Sequence, residues 1–317
     1  MTTTTLTLIP SAVAMPDSAA DVAVAWHYGN PLGEQRLLAE GKGSVDLSHR
    51  GVITVQGPER LTFLNSLTSQ ALLDLKPGES ALTLNLTLNG FVEHELHLVD
   101  DGATLWITCE PQSIEGVFKY LLKMRFRLEL EIEDVTEQWA CIWQPVSEKH
   151  PEFLTYISPF AWSAREILVP REQAVELVAQ APAGIWAYEA LRIAALVPRQ
   201  DRETDHHTIP HEVGWLESGV HLNKGCYRGQ ETVSKVFRMG KPPRRLTMLH
   251  LDGSQDVLPL HGTEVLLGET VVGFIGASAQ HYELGPIASA VVKRTLDPAA
   301  IVNILGQQAS QETDISE

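Results

Sequence analysis

The residues with the clearest chemical potential lie between Lys224 and Glu231, in the run Lys-Gly-Cys-Tyr-Arg-Gly-Gln-Glu. Gly225 and Gly229 bracket Cys226, as a backbone that bends sharply around one side chain requires. Lys224 and Arg228 flank the thiol, and residues 232–237 read as a short helix. Neighbouring cations and a helix N-terminus favour the thiolate, the form that acts as nucleophile and metal ligand. Cys226 is therefore a candidate reactive or ligand-contacting residue, although a lone cysteine is more often a small buried hydrophobe. Residues 224–245 carry Lys224, Arg228, Lys235, Arg238, Lys241, Arg244 and Arg245 against one acid, Glu231. On a chain of net charge −16 this cluster points to an anionic small ligand, to an acidic partner segment, or to a solvated basic face.

A second candidate lies in a hairpin. Leu82, Leu84, Leu86 and Leu88 alternate with polar residues, Asn89-Gly90 is a strong turn signal, and residues 91–99 return. A two-residue turn puts Glu93 and Glu95 on the leucine face, and a three-residue loop puts Val92, His94, Leu96 and Leu98 there. Either register leaves a titratable group on an apolar face, unless the strand is an edge whose polar residues meet water. His206, His207, His211 and His221, with Asp205 and Glu212, could suggest zinc, and His207/His211 has the spacing of one helix face. Pro210 between them argues against that helix, so no metal is expected. No GxGxxG, Walker loop or GxSxG is present, which removes the usual nucleotide and acyl-transfer signatures.

These residues need elements to hold them. Residues 51–57 form a strand with Pro58 placed for a helix start, and Leu61, Leu64 and Leu67 repeat at helical spacing. After the hairpin, Ile114, Val117, Phe118, Leu121 and Leu122 mark an amphipathic helix, and residues 125–133 alternate as a strand. The order strand, helix, hairpin, helix, strand predicts an α+β unit with helices on one face of an antiparallel sheet. Trp139, Cys141 and Trp143 suggest one buried strand, and residues 172–179 and 184–196 read as helices. Residues 199–223 are polar and irregular. Five short β-runs between 246 and 305 predict a small C-terminal barrel or sandwich. The expected division is a disordered tail at 1–20, an N-terminal α+β, ferredoxin-like lobe at 21–140, and a middle α+β lobe at 141–240. A β-barrel follows at 241–306, beyond the Lys241-Pro242-Pro243 break, and 307–317 is a second disordered tail.

The 317 residues suffice for two or three domains with buried cores. No run of 18 uncharged apolar residues exists, so no membrane span is expected. The first basic residue is Arg36, which argues against a secretory signal. Cys109, Cys141 and Cys226 are odd in number and widely spaced, which excludes a disulfide scaffold and fits a reducing cytoplasm. The acidic balance disfavours direct nucleic-acid or membrane-surface binding.

The 224–231 run resembles the signature of the YgfZ-type folate-binding proteins, relatives of aminomethyltransferase, the T-protein of the glycine cleavage system. The resemblance spans about residues 26–295 and includes His27-Tyr28-Gly29, Asp46-Leu47-Ser48, residues 57–60 leading into Phe63-Leu64, Arg192-Ile193-Ala194-Ala195, and Val272-Gly273-Phe274. It implies a three-lobed, GcvT-like cloverleaf around a central channel for tetrahydrofolate. It further implies an accessory role in assembling or repairing iron–sulfur clusters of client enzymes, including tRNA-modifying ones. Cys226 carries over to that role with Lys224, Gly225, Tyr227, Gly229, Gln230 and Glu231.

Two departures separate the chain from the aminomethyltransferases. His94-Glu95 stands where those enzymes have an Asp-Asp pair, and Ala194 stands where they have a Glu that binds the pterin edge. A carboxylate accepts two hydrogen bonds there and a methyl none. Trp186 and Tyr188 remain as aromatic platforms. The resulting expectation places the pterin near Tyr188 and reaching toward Glu95. The glutamate tail is drawn to Arg228, Arg238, Arg244 and Arg245, and Cys226 lies at the channel mouth. Three readings stay open: a folate-binding accessory factor, a true aminomethyltransferase, and a folate-free binding module whose channel is filled by its own side chains.

Overall fold

The computed structural model describes residues 9–15, 21–145, 153–160, 164–255 and 257–312. The N-terminal lobe is a five-stranded antiparallel sheet in the order Ser80–Leu86, Val92–Asp100, Thr104–Cys109, Gly51–Gln56, Glu131–Asp134. Helices Arg60–Leu67 and Ile114–Met124 cover one face, where Ile53, Phe63, Leu64, Leu96, Leu98, Val117 and Leu121 pack together. The strand Thr104–Cys109 was not anticipated. It sits between the hairpin and Gly51–Gln56, and without it these two strands would not share a sheet.

The predicted strand at 125–133 is shorter in the structure. The chain turns at Phe126, which is 80% exposed with φ 47°, and the Arg125 guanidinium donates to the Leu130 carbonyl across the turn at 3.0 Å. Only Glu131–Asp134 pairs with Gly51–Gln56. Leu128, Leu130 and Ile132 still face the core, so the alternation reports burial, but the turn at Phe126 leaves residues 125–130 without a ladder partner in Gly51–Gln56.

Along residues 80–85 the pairing is the one expected for a two-residue turn, but the turn itself is longer. Residues 87–91 form the loop, closed by the Thr87 N–H donating to the Phe91 carbonyl at 2.8 Å. Leu86 pairs with Val92 and Asn85 with His94, so Glu93 is the extra residue of a β-bulge. The bulge sets Glu95 opposite Leu84 and His97 opposite Leu82. The leucine face therefore does carry titratable groups, Glu95 and His97, while Leu88 is left 78% exposed.

The middle sheet runs Leu154–Ile157, Ala164–Pro170, Trp139–Pro145, Ser44–Asp46, Pro182–Ala183, with the last pair parallel. Ser44–Asp46 comes from the segment assigned to the N-terminal lobe, so the lobes are not contiguous stretches of chain. Sequence proximity does not report such an exchange, because the strand is three residues long and pairs across about a hundred residues. Helix Ile185–Ala194 leaves this sheet and packs Ala190 and Ile193 against Met248, Ala279 and Ile287 of the barrel.

The C-terminal lobe is a closed six-stranded barrel, in the order Arg244–Leu251, Gly285–Lys293, Thr270–His281, Glu264–Leu267, Val302–Ile304, Gln307–Gln311. The last strand lies in the segment read as a disordered tail. Its sequence, Gln-Gln-Ala-Ser-Gln, carries no apolar alternation, yet Gln307, Ala309 and Gln311 point inward. Gln311 is satisfied there by donating to the Asp297 and Ala300 carbonyls, and pairing of Leu249 with Gln311 closes the barrel. Closure removes the exposed edges a barrel strand would otherwise present. At the other end of the chain, Ile9 is buried and Val13–Ala14 pairs with Ala25–His27, so the described part of 1–20 is not a loose tail. Residues 1–8, 16–20 and 313–317 lie outside the described residues.

Candidate functional site

The leucine face of the hairpin looks onto the middle sheet, and a buried ion network fills the space between them. The Arg50 guanidinium donates to Glu166, which lies on the strand Ala164–Pro170. The other Glu166 oxygen is 2.9 Å from His97 Nδ1, and His97 Nε2 is 3.3 Å from Glu95 Oε1. The imidazole stacks on Tyr156 at 4.1 Å between centroids. Burial alone would lower the His97 pKa, but Glu166 and Glu95 outweigh it and push it up to about 9. Burial would likewise raise Glu166, yet Arg50 and His97 hold it well below the usual carboxylate range.

Glu95 is fixed from the opposite side. Its backbone N–H donates to Gln200 Oε1 at 2.8 Å, and its Oε2 accepts from the Gln200 N–H at 3.2 Å. Arg199, one residue earlier, is a second hub. It donates to Glu110 Oε2 at 2.7 Å, Asp21 Oδ1 at 2.5 Å and Glu189 Oε1 at 3.1 Å. Arg50 bridges the hubs, with Nη2 lying 3.2 Å from Glu110 and donating to the Tyr188 hydroxyl at 3.3 Å. Burial pushes the Tyr188 phenol up from its ordinary pKa. The cavity left between Glu95, His97, Tyr156, Glu166 and Tyr188 is about 30 Å³, space for one or two waters.

The 224–231 run sits elsewhere. Cys226 is the exposed one of the three cysteines, and Cys109 and Cys141 are buried. The cations expected to act on its thiol are turned to other work. Lys224 Nζ donates to the carbonyls of Asn65, Thr68 and Gln70 at 2.5, 2.7 and 2.6 Å. Arg228 donates to Glu93 Oε2 at 2.8 Å, which fastens the run to the hairpin bulge. Gly229 adopts φ +84°, and a β-carbon there would stand 2.6 Å from the Thr87 carbonyl oxygen and 2.9 Å from Gly90 Cα. Both are backbone atoms that cannot move aside. Gly229→Ala is expected to cost about 2–3 kcal/mol from left-handed strain and overlap together. A urea titration reads this directly, and a change within the error of the measurement would mean the hairpin turn can shift.

Gln230 begins the helix Gln230–Met239 and its amide donates to the Lys224 carbonyl at 3.4 Å, while Glu231 is exposed. Tyr227 is buried beneath the Lys224 ammonium, which lies 5.3 Å above its ring centroid. Lys224 and Gly225 line a surface hollow of about 460 Å³ separate from the central cavity.

Of the expected folate contacts, the structure brings Glu95 and Tyr188 to one cavity and leaves the others apart. Arg244 is held by Asp205 and Glu212, Arg228 by Glu93, and Arg245 by Gln311. Arg238 is exposed on its helix. These four arginines do not form one anion-binding patch, because three of them neutralise nearby acids or satisfy an amide. Trp186 stacks on Trp26 at 4.8 Å, away from the central cavity. His94 lies on the opposite face of its strand, where its ring meets the helix at Gly116. Among the described residues no group of His, Cys, Asp and Glu could hold a metal, and no helix is long and apolar enough to cross a membrane.

Sequence reading missed Arg50, Glu110, His97, Tyr156, Glu166 and Arg199. A signal existed for Glu166 and Arg165, which are charged residues inside the otherwise apolar strand Ala164–Pro170. Arg50 and Arg199 gave none, since isolated arginines beside loops are ordinarily solvated.

The architecture defines the class first: two five-stranded α+β lobes and a closed barrel form a GcvT-like fold. The crystal structure of the glycine cleavage system aminomethyltransferase T from Bartonella henselae superposes with a TM-score of 0.81 over 96% of this chain and 94% of that one, at 18% identity. Residues 18–144 match the GCVT N-terminal domain family. An aminomethyltransferase from a Thermoanaerobacter species is 24% identical over 80% of this chain and 78% of its own, and one from Geobacillus kaustophilus 27% over 84% and 83%. The chain is thus similar in sequence to aminomethyltransferases over most of its length and has a GcvT-like fold.

Proposed function

We propose that the chain is a tetrahydrofolate-binding accessory protein for iron–sulfur enzymes, not a methylene-transfer enzyme. The observation that carries this reading is the separation of two features. Cys226 is presented at the surface on a loop pinned at both ends, while the centre is occupied by an internal ion network. A transfer enzyme needs a carboxylate free to serve the reacting atom. Here Glu95 is committed to Gln200 and His97, and Ala194 offers no acceptor.

The donor chemistry of the centre suits a pterin. Once released from their present partners, Glu95 and Glu166 would supply acceptors for an amino-pyrimidine edge; Arg50 has a buried Nε without a partner, and Tyr156 and Tyr188 line the same cavity. Tetrahydrofolate, when bound, would bring one-carbon chemistry to this centre. The space does not admit it until Arg50 and Glu166 part. Breaking such a pair costs about 3–5 kcal/mol, which weakens binding roughly 10²–10⁴-fold. The face presented to clients would include Lys235 and Arg238, exposed with Phe237 and Met239 on the helix after Cys226, and Lys241 just beyond its end. A basic, partly apolar face suits an acidic protein surface.

The test has two arms. In cells, Cys226→Ser is expected to lower iron–sulfur enzyme activity to the level of a strain lacking the protein, and wild-type activity would remove the accessory role. Calorimetric titration of the purified protein is expected to show weak tetrahydrofolate binding, with no aminomethyl transfer to a lipoyl protein. Transfer activity would return the chain to the enzymes, and absence of any folate heat would leave a folate-free module.

A further inference from the structure

The Lys224 ammonium occupies a cup of three backbone carbonyls at the end of helix Arg60–Leu67. Asn65 lies in its last turn, Thr68 is the cap, and Gln70 is two residues beyond. The final carbonyls of a helix lack intrahelical partners and carry partial negative charge. An ammonium has three donors and no acceptor, so it satisfies all three oxygens at once. The same short segment grips the chain leading to Lys224. The Ser69 hydroxyl donates to the Gly219 carbonyl at 2.6 Å, the Gln70 amide to the Ser218 carbonyl at 3.1 Å, and the His221 N–H to the Ser69 carbonyl at 3.0 Å. Lys224 is the last and only charged member of this clasp. Beyond it, Gly225 and Cys226 are exposed before Arg228 and Gly229 fasten to the hairpin.

We propose that Lys224 is a positioning residue for Cys226, a built-in cation that locks the cysteine loop onto the N-terminal lobe. It acts by occupying the carbonyl cup and not by its field at the thiol or by contact with an anionic ligand. A neutral side chain in its place leaves three carbonyls short of a donor and frees the Cys226 end of the loop. The proposal rests on the accessory reading only for its consequence in cells, where loss of Lys224 would impair a function that Cys226 performs. The measurement itself concerns the isolated chain, so its failure is distinguishable from failure of that reading.

Because Cys109 and Cys141 are buried, a thiol-specific nitroxide label on the native protein reports on Cys226. The spin-label spectrum is expected to show an immobilised probe in the wild type. In Lys224→Ala and Lys224→Met the probe's correlation time should fall by roughly threefold or more. Propylammonium should restore the immobilised spectrum in Lys224→Ala, where the vacated stem leaves room for the amine. It should not do so in Lys224→Met, whose side chain fills that room without a donor. A merely structural lysine would not give amine-specific rescue. Unchanged spectra in both variants, or no rescue of a folded Lys224→Ala, would overturn the proposal. Should Lys224→Ala fail to fold, Lys224→Met refolded with and without loss of probe order decides the question.

Discussion

Replacing Arg199 with methionine is expected to lower the unfolding free energy by about 3–5 kcal/mol, the usual cost of stripping one partner from a buried ion network. Arg199 is 3% exposed in its side chain and faces three carboxylates at once, those of Asp21, Glu110 and Glu189. Methionine fills much of the volume but cancels none of the charge. The two acids buried most deeply, Asp21 and Glu110, are then left facing each other with Arg50 as the remaining strong cation beside Glu110. Glu110 is held down to about 2 by Arg199 and Arg50 against the burial that would raise it. Without Arg199 burial and the nearby Asp21 carboxylate push the Glu110 pKa up, with Arg50 alone opposing them. The loss should therefore shrink when Glu110→Gln is added, since the amide removes one orphaned charge. Denaturant unfolding of the single and double variants reads both effects. A single-variant loss below about 1 kcal/mol would mean that the network is solvated and contributes no more than a surface pair.

That network explains how unevenly the molecule could be read from its sequence. Helices and strands with an apolar face were legible, because a face buried on one side writes a period into the chain. Residues 51–56, 114–124, 185–194 and most barrel strands belong to this class. Gln307–Gln311 did not, because its inward glutamines are satisfied by backbone carbonyls that only the closed barrel supplies. The hairpin conflict was visible as a conflict, but it is resolved by a bulge at Glu93, whose carboxylate meets Arg228, 135 residues away. The 224–231 run was legible as a special segment through its glycines and cations. The purpose of those cations was not, since a lysine bound to three carbonyls and a lysine beside a thiolate look alike in one dimension. The central network was hidden for the same reason. Arg50, His97, Glu166 and Arg199 come from four segments, and no local pattern announces charges that neutralise one another across lobes.

His97 should make stability fall as the pH rises from neutral into the alkaline range. Its folded pKa is pushed up to about 9 from the ordinary 6.5 of an imidazole, with burial opposing and Glu166 and Glu95 prevailing. A group whose folded pKa is raised binds its proton more tightly in the native state. Its contribution is fully present below about 6.5 and is lost as the pH climbs through about 9. The shift corresponds to about 3 kcal/mol at most, discounted because the proton is shared within a Glu95–His97–Glu166 chain whose members titrate together. Lys224 opposes this slope. Burial lowers its pKa to about 8, so the native state gives up this proton earlier than the unfolded chain does and stability is gained as the pH rises from about 8 to about 10.5. The comparison that isolates His97 is therefore the difference between wild type and His97→Gln across pH 6–10. Glutamine keeps a donor toward Glu166 but has no proton to lose. The wild-type advantage should be largest near pH 6 and vanish toward pH 10. A difference that stays constant with pH would show that His97 holds the centre by shape and hydrogen bonding alone, with its charge contributing nothing.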